Sequence, residues 1–241
     1  MRPVRKWVHT DATIVPPINE FYNPYQDAKP DLERNIDGYC SYCERPATDD
    51  AVHVEHIQPK GLPQYVAIQY SWSNFLLACA RCNGADNKSN NDVVFGTVHL
   101  PNLNNTAISV FYGEGGFVQV NTGLHNQELA NAEALINLVG LDKRPGHPNH
   151  LSKDKRWDRR REVWEIAKRN LDKYDHHLVD EHTILELARG YGFWSVWYSV
   201  FRNAIDVKRL LVSNFRGTEP NCFDANFNPI IRNPGHATDT V

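Results

Sequence analysis

Two Cys-x-x-Cys pairs frame the residues of this sequence that could do chemistry. Cys40 and Cys43 form the first pair, and Cys79 and Cys82 form the second. Four thiolates are the ligand set of a closed, tetrahedral structural zinc site. Thirty-five residues separate Cys43 from Cys79, more than the roughly 15–20 of a simple zinc ribbon. Two disulfides or four inert buried thiols are the alternatives, but no signal-like stretch opens the chain, so we expect a cytoplasmic protein with reduced thiols that bind zinc.

The segment between the pairs carries Glu55 and His56, and Asn83 directly follows the last cysteine. Hydrolysis of a phosphodiester needs an activated water, neutralised charge on the phosphate and help for the leaving oxygen. Mg²⁺ takes oxygen ligands, which the carboxylate of Glu55 and the amide of Asn83 can offer. Histidine titrates near neutrality, so His56 can accept the proton of the water. The three residues predict a one-metal nuclease site that uses Mg²⁺ or Mn²⁺.

Strand geometry leaves the ligand set open. On an ideal strand Glu55 and His56 point to opposite faces, so they reach one phosphate only if the strand end twists. His53 shares the face of Glu55, and it is either a further metal ligand or a polar strand residue without function. Three basic residues either contact nucleic-acid phosphates or serve as ordinary surface and zinc-covering residues: Lys60, Arg81 and Lys88.

Local patterns predict the elements that position these residues. Residues 51–57 have the β-branched character of a strand, residues 73–77 lead into the second cysteine pair, and a short helix is expected over 80–88. Alternating apolar residues around Gly113–Gly116 predict a second hairpin over 108–120. A short helix is expected over 31–36, with Asp31 as its N-cap. Beyond residue 124 apolar residues recur at helical spacing.

Composition limits the possible functions. The chain has 241 residues and a net charge of −3, which is unusual for a protein that binds nucleic acid through a basic surface of its own. Residues 153–169 hold eight basic and four acidic side chains, which form either a phosphate-tracking face or a solvated helix face. The longest aromatic and apolar run, Tyr191 to Phe201, is too short to span a bilayer. No membrane association is expected.

The motif as a whole resembles the HNH endonucleases of the ββα-metal type, in the variety with a four-cysteine zinc. The matching residues are Cys40, Cys43, Glu55-His56-Ile57-x-Pro59, Trp72-Ser73-Asn74-Phe75, Cys79-x-x-Cys82-Asn83 and Lys88. The resemblance implies that Glu55 is an acidic metal ligand, that His56 is the general base and that Asn83 binds the metal. It also implies that Asn74 supports the loop and orients the histidine. Glu55 replaces the commoner Asp or His, and Asn83 replaces the final His, but both keep oxygen ligation.

A looser resemblance extends over the rest of the chain. The Val-Glu-His-Ile-x-Pro-Lys string at 54–60 and the Ala132-x-x-x-Ile136-x-x-Val139-x-Leu141 pattern are similar to the HNH subunit of Septu-type and retron-associated anti-phage systems (PtuB-like). That family implies a nucleic-acid substrate and an ABC-type ATPase partner. The helical half of the chain would dock this partner.

These observations predict an α+β fold: a small zinc-stapled ββα-metal HNH core with an added β-hairpin and a mainly helical C-terminal region. The expected organisation is 1–35 as an N-terminal extension, 36–95 as the nuclease core, 96–123 as the β-hairpin extension, 124–216 as the helical partner-docking region and 217–241 as an irregular tail. The expected activity is metal-dependent endonuclease cleavage, on DNA in preference to RNA. The alternatives are a ribonuclease effector with the same site and a non-catalytic zinc-stapled nucleic-acid-binding module.

Overall fold

The computed structural model describes residues 1–47, 52–232 and 241. Four strands form two separate antiparallel hairpins: β1 (Val52–His56) with β2 (Phe75–Cys79), and β3 (Val110–Gly113) with β4 (Phe117–Val120). The α-helices are α1 (Lys29–Ile36), α2 (Ala80–Asn83), α3 (Thr106–Ser109), α4 (Asn126–Val139), α5 (Arg156–Asp175), α6 (Glu181–Tyr191), α7 (Trp194–Val200) and α8 (Ile205–Asn214). The predicted α+β class, with a second hairpin and a mainly helical C-terminal region, is confirmed.

The first hairpin lies in the core of the molecule. β1 pairs with β2 from Val52 opposite Cys79 to His56 opposite Phe75. Every residue of β2 is buried, as is every residue of β1 except His53. A 3₁₀ turn at Trp72–Asn74 leads into β2. The predicted strand at 51–57 therefore exists, although Ala51 lies outside the described residues.

The helix after the second cysteine pair is shorter than predicted. It was expected to run over 80–88, but α2 ends at Asn83 because Gly84 has an extended backbone, with φ −76° and ψ 173°. A Cβ atom at Gly84 would lie 2.5 Å from the carbonyl oxygen of Ala80, so only glycine permits this close approach. The early end places Asn83 at the tip of a single helical turn and returns the chain towards β1.

Helix α1 also differs in detail from its prediction. The expected N-cap Asp31 lies inside the first turn, and the helix begins at Lys29 with Pro30 as one of its first residues, where proline is well tolerated. The carboxylate of Asp31 instead accepts hydrogen bonds from Arg34 at 2.7 Å and from the hydroxyl of Tyr22 at 2.5 Å. These contacts tie the extended segment before α1 to the helix that packs against the first hairpin.

The helical region is built on a buried aromatic core. Trp194, Trp197 and Phe201 are at most 1 % exposed, so most of the aromatic and apolar run from Tyr191 to Phe201 lies in the core. The helical spacing of apolar residues continues past this run, but the chain there is divided between α7 and α8. The indole nitrogen of Trp194 donates to the carbonyl oxygen of Leu211 in α8 at 3.0 Å. Within the described residues, no helix combines the length and the apolar character that crossing a bilayer requires.

Glu44, in the loop of the first cysteine pair, joins the two halves of the molecule. Its side chain is 3 % exposed and accepts hydrogen bonds from the amide and the hydroxyl of Ser195, at 2.8 and 2.6 Å. It also accepts one from the backbone amide of Arg2 at 2.6 Å. A buried carboxylate needs such partners, so the first cysteine pair is fixed against the start of α7.

Candidate active site

The four cysteines of the two pairs form one buried cluster. The sulfur atoms of Cys40, Cys43, Cys79 and Cys82 all lie within 4.8 Å of one another, and those of Cys43 and Cys79 are 3.6 Å apart. Tetrahedral zinc with Zn–S bonds of about 2.3 Å separates its sulfurs by about 3.8 Å. The donor set and its spacing therefore fit a structural zinc ion, which would join the loop of the first pair to the end of β2.

Glu55 lies in β1 and is 1 % exposed. Its Oε1 atom lies 2.7 Å from the ammonium of Lys88 and accepts a hydrogen bond of 3.5 Å from the hydroxyl of Tyr42. Burial raises the pKa of Glu55 to about 7, although Lys88, Tyr42 and Asn83 each favour the ionised form. The carboxylate is thus held by a fixed cation in a site where desolvation opposes its charge.

Lys88, predicted as a residue that could contact phosphates at the surface, has no exposed surface in the fold. Besides Glu55, its ammonium donates to the backbone carbonyl oxygen of His56 at 2.7 Å. One buried cation therefore connects the side chain of Glu55 with the main chain of the next residue. This contact fixes the backbone at the end of β1, where Glu55 and His56 are neighbours.

Asn83 brings a side-chain amide to the carboxylate. It directly follows Cys82 at the end of α2, and its side chain is near enough to Glu55 to favour the ionised carboxylate. The NH₂ group of an amide is the part that favours a carboxylate, which leaves the amide oxygen available for a cation. Together, Glu55 and Asn83 present oxygen donors of the kind that Mg²⁺ binds.

A surface cavity of about 410 Å³ opens beside Asn83. Its lining includes two basic side chains, Lys29 and His53, together with Tyr25 from the 3₁₀ turn that precedes α1. His53 is the exposed residue of β1 and shares the face of Glu55 by strand alternation. Asn83 lines this cavity, whereas Glu55 and His56 are not among its lining residues.

His56, the last residue of β1, is 7 % exposed. Its Nε2 atom lies 2.8 Å from the carbonyl oxygen of Gln69. A carbonyl oxygen only accepts, so Nε2 carries the hydrogen and, in the neutral ring, Nδ1 carries the free lone pair. Burial lowers the pKa of His56, the charges of Lys60 and Lys88 act in the same direction, and the Gln69 carbonyl opposes them. The ring is therefore neutral, with an available acceptor, at neutral pH.

Tyr25 is a neighbour of His56 that the sequence patterns did not indicate. Its ring meets the imidazole edge-on with the centroids 4.7 Å apart, and Phe75 packs on the imidazole in a second edge contact at 5.2 Å. The ammonium of Lys60, which is exposed, lies 4.0 Å from the centre of the Tyr25 ring. Its contact with β1 spans about thirty positions of sequence, so no local pattern indicates it.

Asn74 holds the loop that follows His56. Its side-chain oxygen accepts from the amide of Gln58 at 2.8 Å, and its side-chain nitrogen donates to the carbonyl oxygen of the same residue at 2.9 Å. The backbone oxygen of Asn74 accepts from the amide of Ile57 at 2.9 Å. The ring of His56 is instead contacted by Gln69, so Asn74 can act on it through the backbone.

Arg81, the remaining predicted contact to nucleic acid, lies in the second cysteine pair and is half-buried. Its guanidinium forms an ion pair with Asp86 at 3.6 Å. The basic stretch at 153–169 is also partly internal, since Arg156 and Arg160 are at most 3 % exposed. Much of its charge is therefore directed into the protein.

Part of the chain matches a known protein family. Residues 40–89 match the HNH endonuclease family model. No curated protein matches the chain. The HNH match includes every residue of the site that the sequence resemblance identified: Cys40, Cys43, Glu55, His56, Asn74, Cys79, Cys82, Asn83 and Lys88. The resemblance to an HNH endonuclease with four clustered cysteines is confirmed for this range.

Proposed function

We propose that the protein is a metal-dependent endonuclease that hydrolyses phosphodiester bonds in nucleic acid, with DNA as the preferred substrate. The observation that carries the proposal is the geometry at the end of the first hairpin. The buried carboxylate of Glu55 is influenced by the side-chain amide of Asn83, Asn83 lines an open cavity, and the ring of the adjacent His56 keeps Nδ1 free when its Nε2 bonds the Gln69 carbonyl. These groups lie within the HNH match at 40–89.

In this proposal His56 is the general base. Its Nε2 hydrogen is engaged by the Gln69 carbonyl, so Nδ1 takes the proton of the attacking water. The edge contacts with Tyr25 and Phe75 restrict rotation of the ring and exclude water from its faces. A general base held in this way contributes about 10²–10⁴-fold to a rate.

Glu55 and Asn83 would hold a divalent cation, Mg²⁺ or Mn²⁺. When bound, the cation neutralises charge on the phosphate and supports the leaving oxygen. Lys88 pairs with one oxygen of the Glu55 carboxylate, which leaves the other oxygen for the cation. His53 is either a further ligand at the cavity or a polar residue at its edge. Asn74 supports the loop behind the base.

Positive charge near the cavity suits a polyanionic substrate. Lys29 lies in its wall, and the exposed Lys60 contacts the ring of Tyr25, which also lines it. In this arrangement Lys60 and Arg81 contact phosphates outside the scissile bond, whereas Lys88 acts from within the protein. The basic side chains near the cavity are few, which is consistent with the chain's net charge of −3. A partner would then supply part of the affinity for long nucleic acid.

We further propose that the protein works as an effector of prokaryotic anti-phage defence, in the cytoplasm, with an ABC-type ATPase docked on the helical region at 124–216. The support is the resemblance to Septu-type and retron-associated nucleases. The aromatic run from Tyr191 to Phe201 in this region is largely internal, since Trp194, Trp197 and Phe201 are buried. Co-purification with the ATPase encoded by a neighbouring gene tests this part, and we expect the two proteins to form a complex. A monomer that does not bind that ATPase would contradict it.

Cleavage assays test the nuclease. Purified protein with Mg²⁺ or Mn²⁺ is incubated with supercoiled plasmid and, in parallel, with structured RNA. We expect nicking of the plasmid that falls about 10²–10⁴-fold in His56→Ala, while His182→Ala, which removes an exposed histidine of α6, retains it. Cleavage of RNA alone would identify a ribonuclease. Equal cleavage by both variants would remove His56 from the mechanism, and an inert wild type would leave a zinc-stapled binding module.

A further inference from the structure

Arg156, the first residue of α5, reaches from the helical region to the cysteine cluster. It is 3 % exposed, and its Nη1 atom lies 3.2 Å from the sulfur of Cys82. Asp154 fixes the guanidinium from the other side, with the carboxylate oxygens 2.7 to 3.1 Å from its Nε and Nη2 atoms. Nothing in the spacing of the cysteines points to this residue, which lies more than seventy positions away from Cys82.

The same guanidinium closes the end of α4. Its Nη1 atom donates to the carbonyl oxygen of Val139 at 2.6 Å and its Nη2 atom to that of Gly140 at 2.8 Å. Carbonyls at a helix C-terminus lack partners within the helix, and a cation there also interacts favourably with the helix dipole. One side chain thus joins a cysteine sulfur, the last turn of α4 and the first turn of α5.

The net charge of a zinc ion with four thiolates explains why a guanidinium would contact one of the sulfurs. A zinc ion with four thiolates carries two net negative charges, and buried charge is costly unless it is paired or hydrogen-bonded. Arg156 places a buried positive charge in contact with one of these sulfurs. Groups beside the ligands of a metal orient them and adjust the affinity of the site.

We propose that Arg156 is an outer-sphere partner of the zinc centre: its N–H bond to the Cys82 thiolate strengthens zinc binding and makes the docking of α4 and α5 depend on the occupied site. Zinc then organises the helical region as well as the nuclease hairpin. Asp154 is the positioning residue that holds the guanidinium in this orientation.

Arg160 offers a matched control on the same helix. It lies one turn further along α5 and is 1 % exposed. Its guanidinium also donates to two backbone carbonyls, those of Gly116 at 2.5 Å and Leu141 at 3.0 Å. No hydrogen bond from it to a cysteine sulfur is found among the described residues. Loss of helix packing should therefore be common to Arg156→Gln and Arg160→Gln, whereas loss of a sulfur contact belongs to Arg156→Gln alone.

The first experiment measures zinc affinity in the two variants by competition with a chelator. We expect Arg156→Gln to lose about 10–100-fold in affinity, the usual effect of removing a partner of a metal ligand, and Arg160→Gln to bind as the wild type does. In the Co²⁺-substituted proteins, the sulfur-to-metal charge-transfer band of Arg156→Gln should move to longer wavelength, since a thiolate without its donor gives up an electron more easily. Equal affinities and equal bands in the two variants would overturn the proposal.

A second experiment needs no variant and so does not depend on either one folding. The full chain is loaded with NMR-active cadmium and its arginine side chains are labelled with nitrogen-15. A scalar coupling between the metal and a guanidinium proton is expected across the N–H···S bond. Its absence, with the guanidinium protons observed, would overturn the proposal. Neither measurement involves cleavage, so both results stand whether or not the proposed nuclease activity is found.

Discussion

The two β-hairpins of this molecule are stabilised in different ways. β3 and β4 are joined by a tight turn at Glu114–Gly116, and their residues alternate between buried and more exposed positions. β1 and β2 are separated by a long connection, and His53 alone among their residues is exposed. The second hairpin is therefore organised by its own turn and alternation, and the first by contacts from other parts of the chain.

This difference explains where the ionisable residues lie. A hairpin closed by a turn can leave one face in solvent, whereas the first hairpin has the cysteine cluster at one end and the Lys88 and Asn74 contacts at the other. Such external contacts allow Glu55 and His56 to be buried and still fixed in orientation. Removing an external contact should therefore damage the first hairpin, and altering the turn should damage the second.

The largest effect is expected from Cys79→Ser, which removes one zinc ligand. Structural zinc contributes apparent binding free energies of about 10–16 kcal/mol in zinc-finger peptides, so we expect the HNH region to lose its zinc and unfold. Cys222→Ser is the matched control, because Cys222 is also buried but lies outside the cluster. Zinc content and hydrogen exchange of each hairpin measure the outcome. Equal loss of structure in both variants would mean that zinc does not hold the first hairpin.

Lys88→Met should have the next largest effect, because it leaves the buried carboxylate of Glu55 without its cation. Breaking a buried pair in this way costs about 3–5 kcal/mol, measured by urea unfolding at pH 8, where Glu55 is ionised in the wild type. Lys153→Met removes an exposed ion pair with Asp86 of 3.7 Å and should cost about 0–1 kcal/mol. Adding Glu55→Gln to Lys88→Met should recover stability. A double variant no more stable than the single one would contradict the pairing.

The pH dependence of cleavage follows from His56. Its pKa lies below the ordinary value of about 6.5, so the neutral base persists into mildly acidic solution. With saturating divalent cation, kcat/KM should stay level as the pH falls to about 6.5 and then decline up to tenfold per pH unit. A decline centred near pH 7 would instead indicate control by Glu55, whose pKa is raised to about 7.

The lowered pKa of His56 also affects the stability of the fold. A histidine with a lowered pKa in the folded state stabilises the fold above the unfolded-state pKa of about 6.5, and this contribution disappears as the pH falls through the folded-state value. His56→Gln should remove that part of the acid sensitivity. Urea unfolding of both proteins across pH 5 to 8 would measure it.

The smallest effects are expected at the turn of the second hairpin. Gly115 has φ +68° and space for a Cβ atom, so Gly115→Ala should cost about 1–2 kcal/mol, the penalty for a left-handed L residue. Gly116 has φ +71°, and a Cβ atom there would lie 2.9 Å from the backbone of Arg160, so Gly116→Ala should cost more. Both should cleave as the wild type does, since this hairpin supplies no residue to the candidate site. Equal destabilisation would contradict the packing against α5.

The features that could be predicted from the sequence are those that depend on local spacing. The zinc cluster follows from two cysteine pairs, and the second hairpin follows from alternation around a glycine-rich turn. Other features depend on distant partners. Lys88 looks like a surface lysine because nothing near it in sequence reveals the carboxylate of Glu55. The helix over 80–88 was predicted too long because one glycine, Gly84, ends it in contact with the turn before it.

Long-range contacts also explain the residues that were missed. Tyr25 reaches His56, and Arg156 reaches Cys82, from regions that lack a motif. The break between α7 and α8 is hidden because apolar residues continue across it. The preference for DNA, the catalytic metal and the ATPase partner depend on molecules outside the chain and stay predictions. The domain boundaries also stay predictions.

The hydrogen bonds of Glu44 determine which segments must be moved together if the HNH region is transferred to another protein. A fragment limited to residues 40–89 would keep every HNH residue, but it would leave this buried carboxylate without Ser195, the donor of two of its bonds. The amide of Phe193 also donates to the backbone oxygen of Glu44 at 2.8 Å. Grafting the HNH segment onto another scaffold would therefore require the start of α7 to be transferred with it.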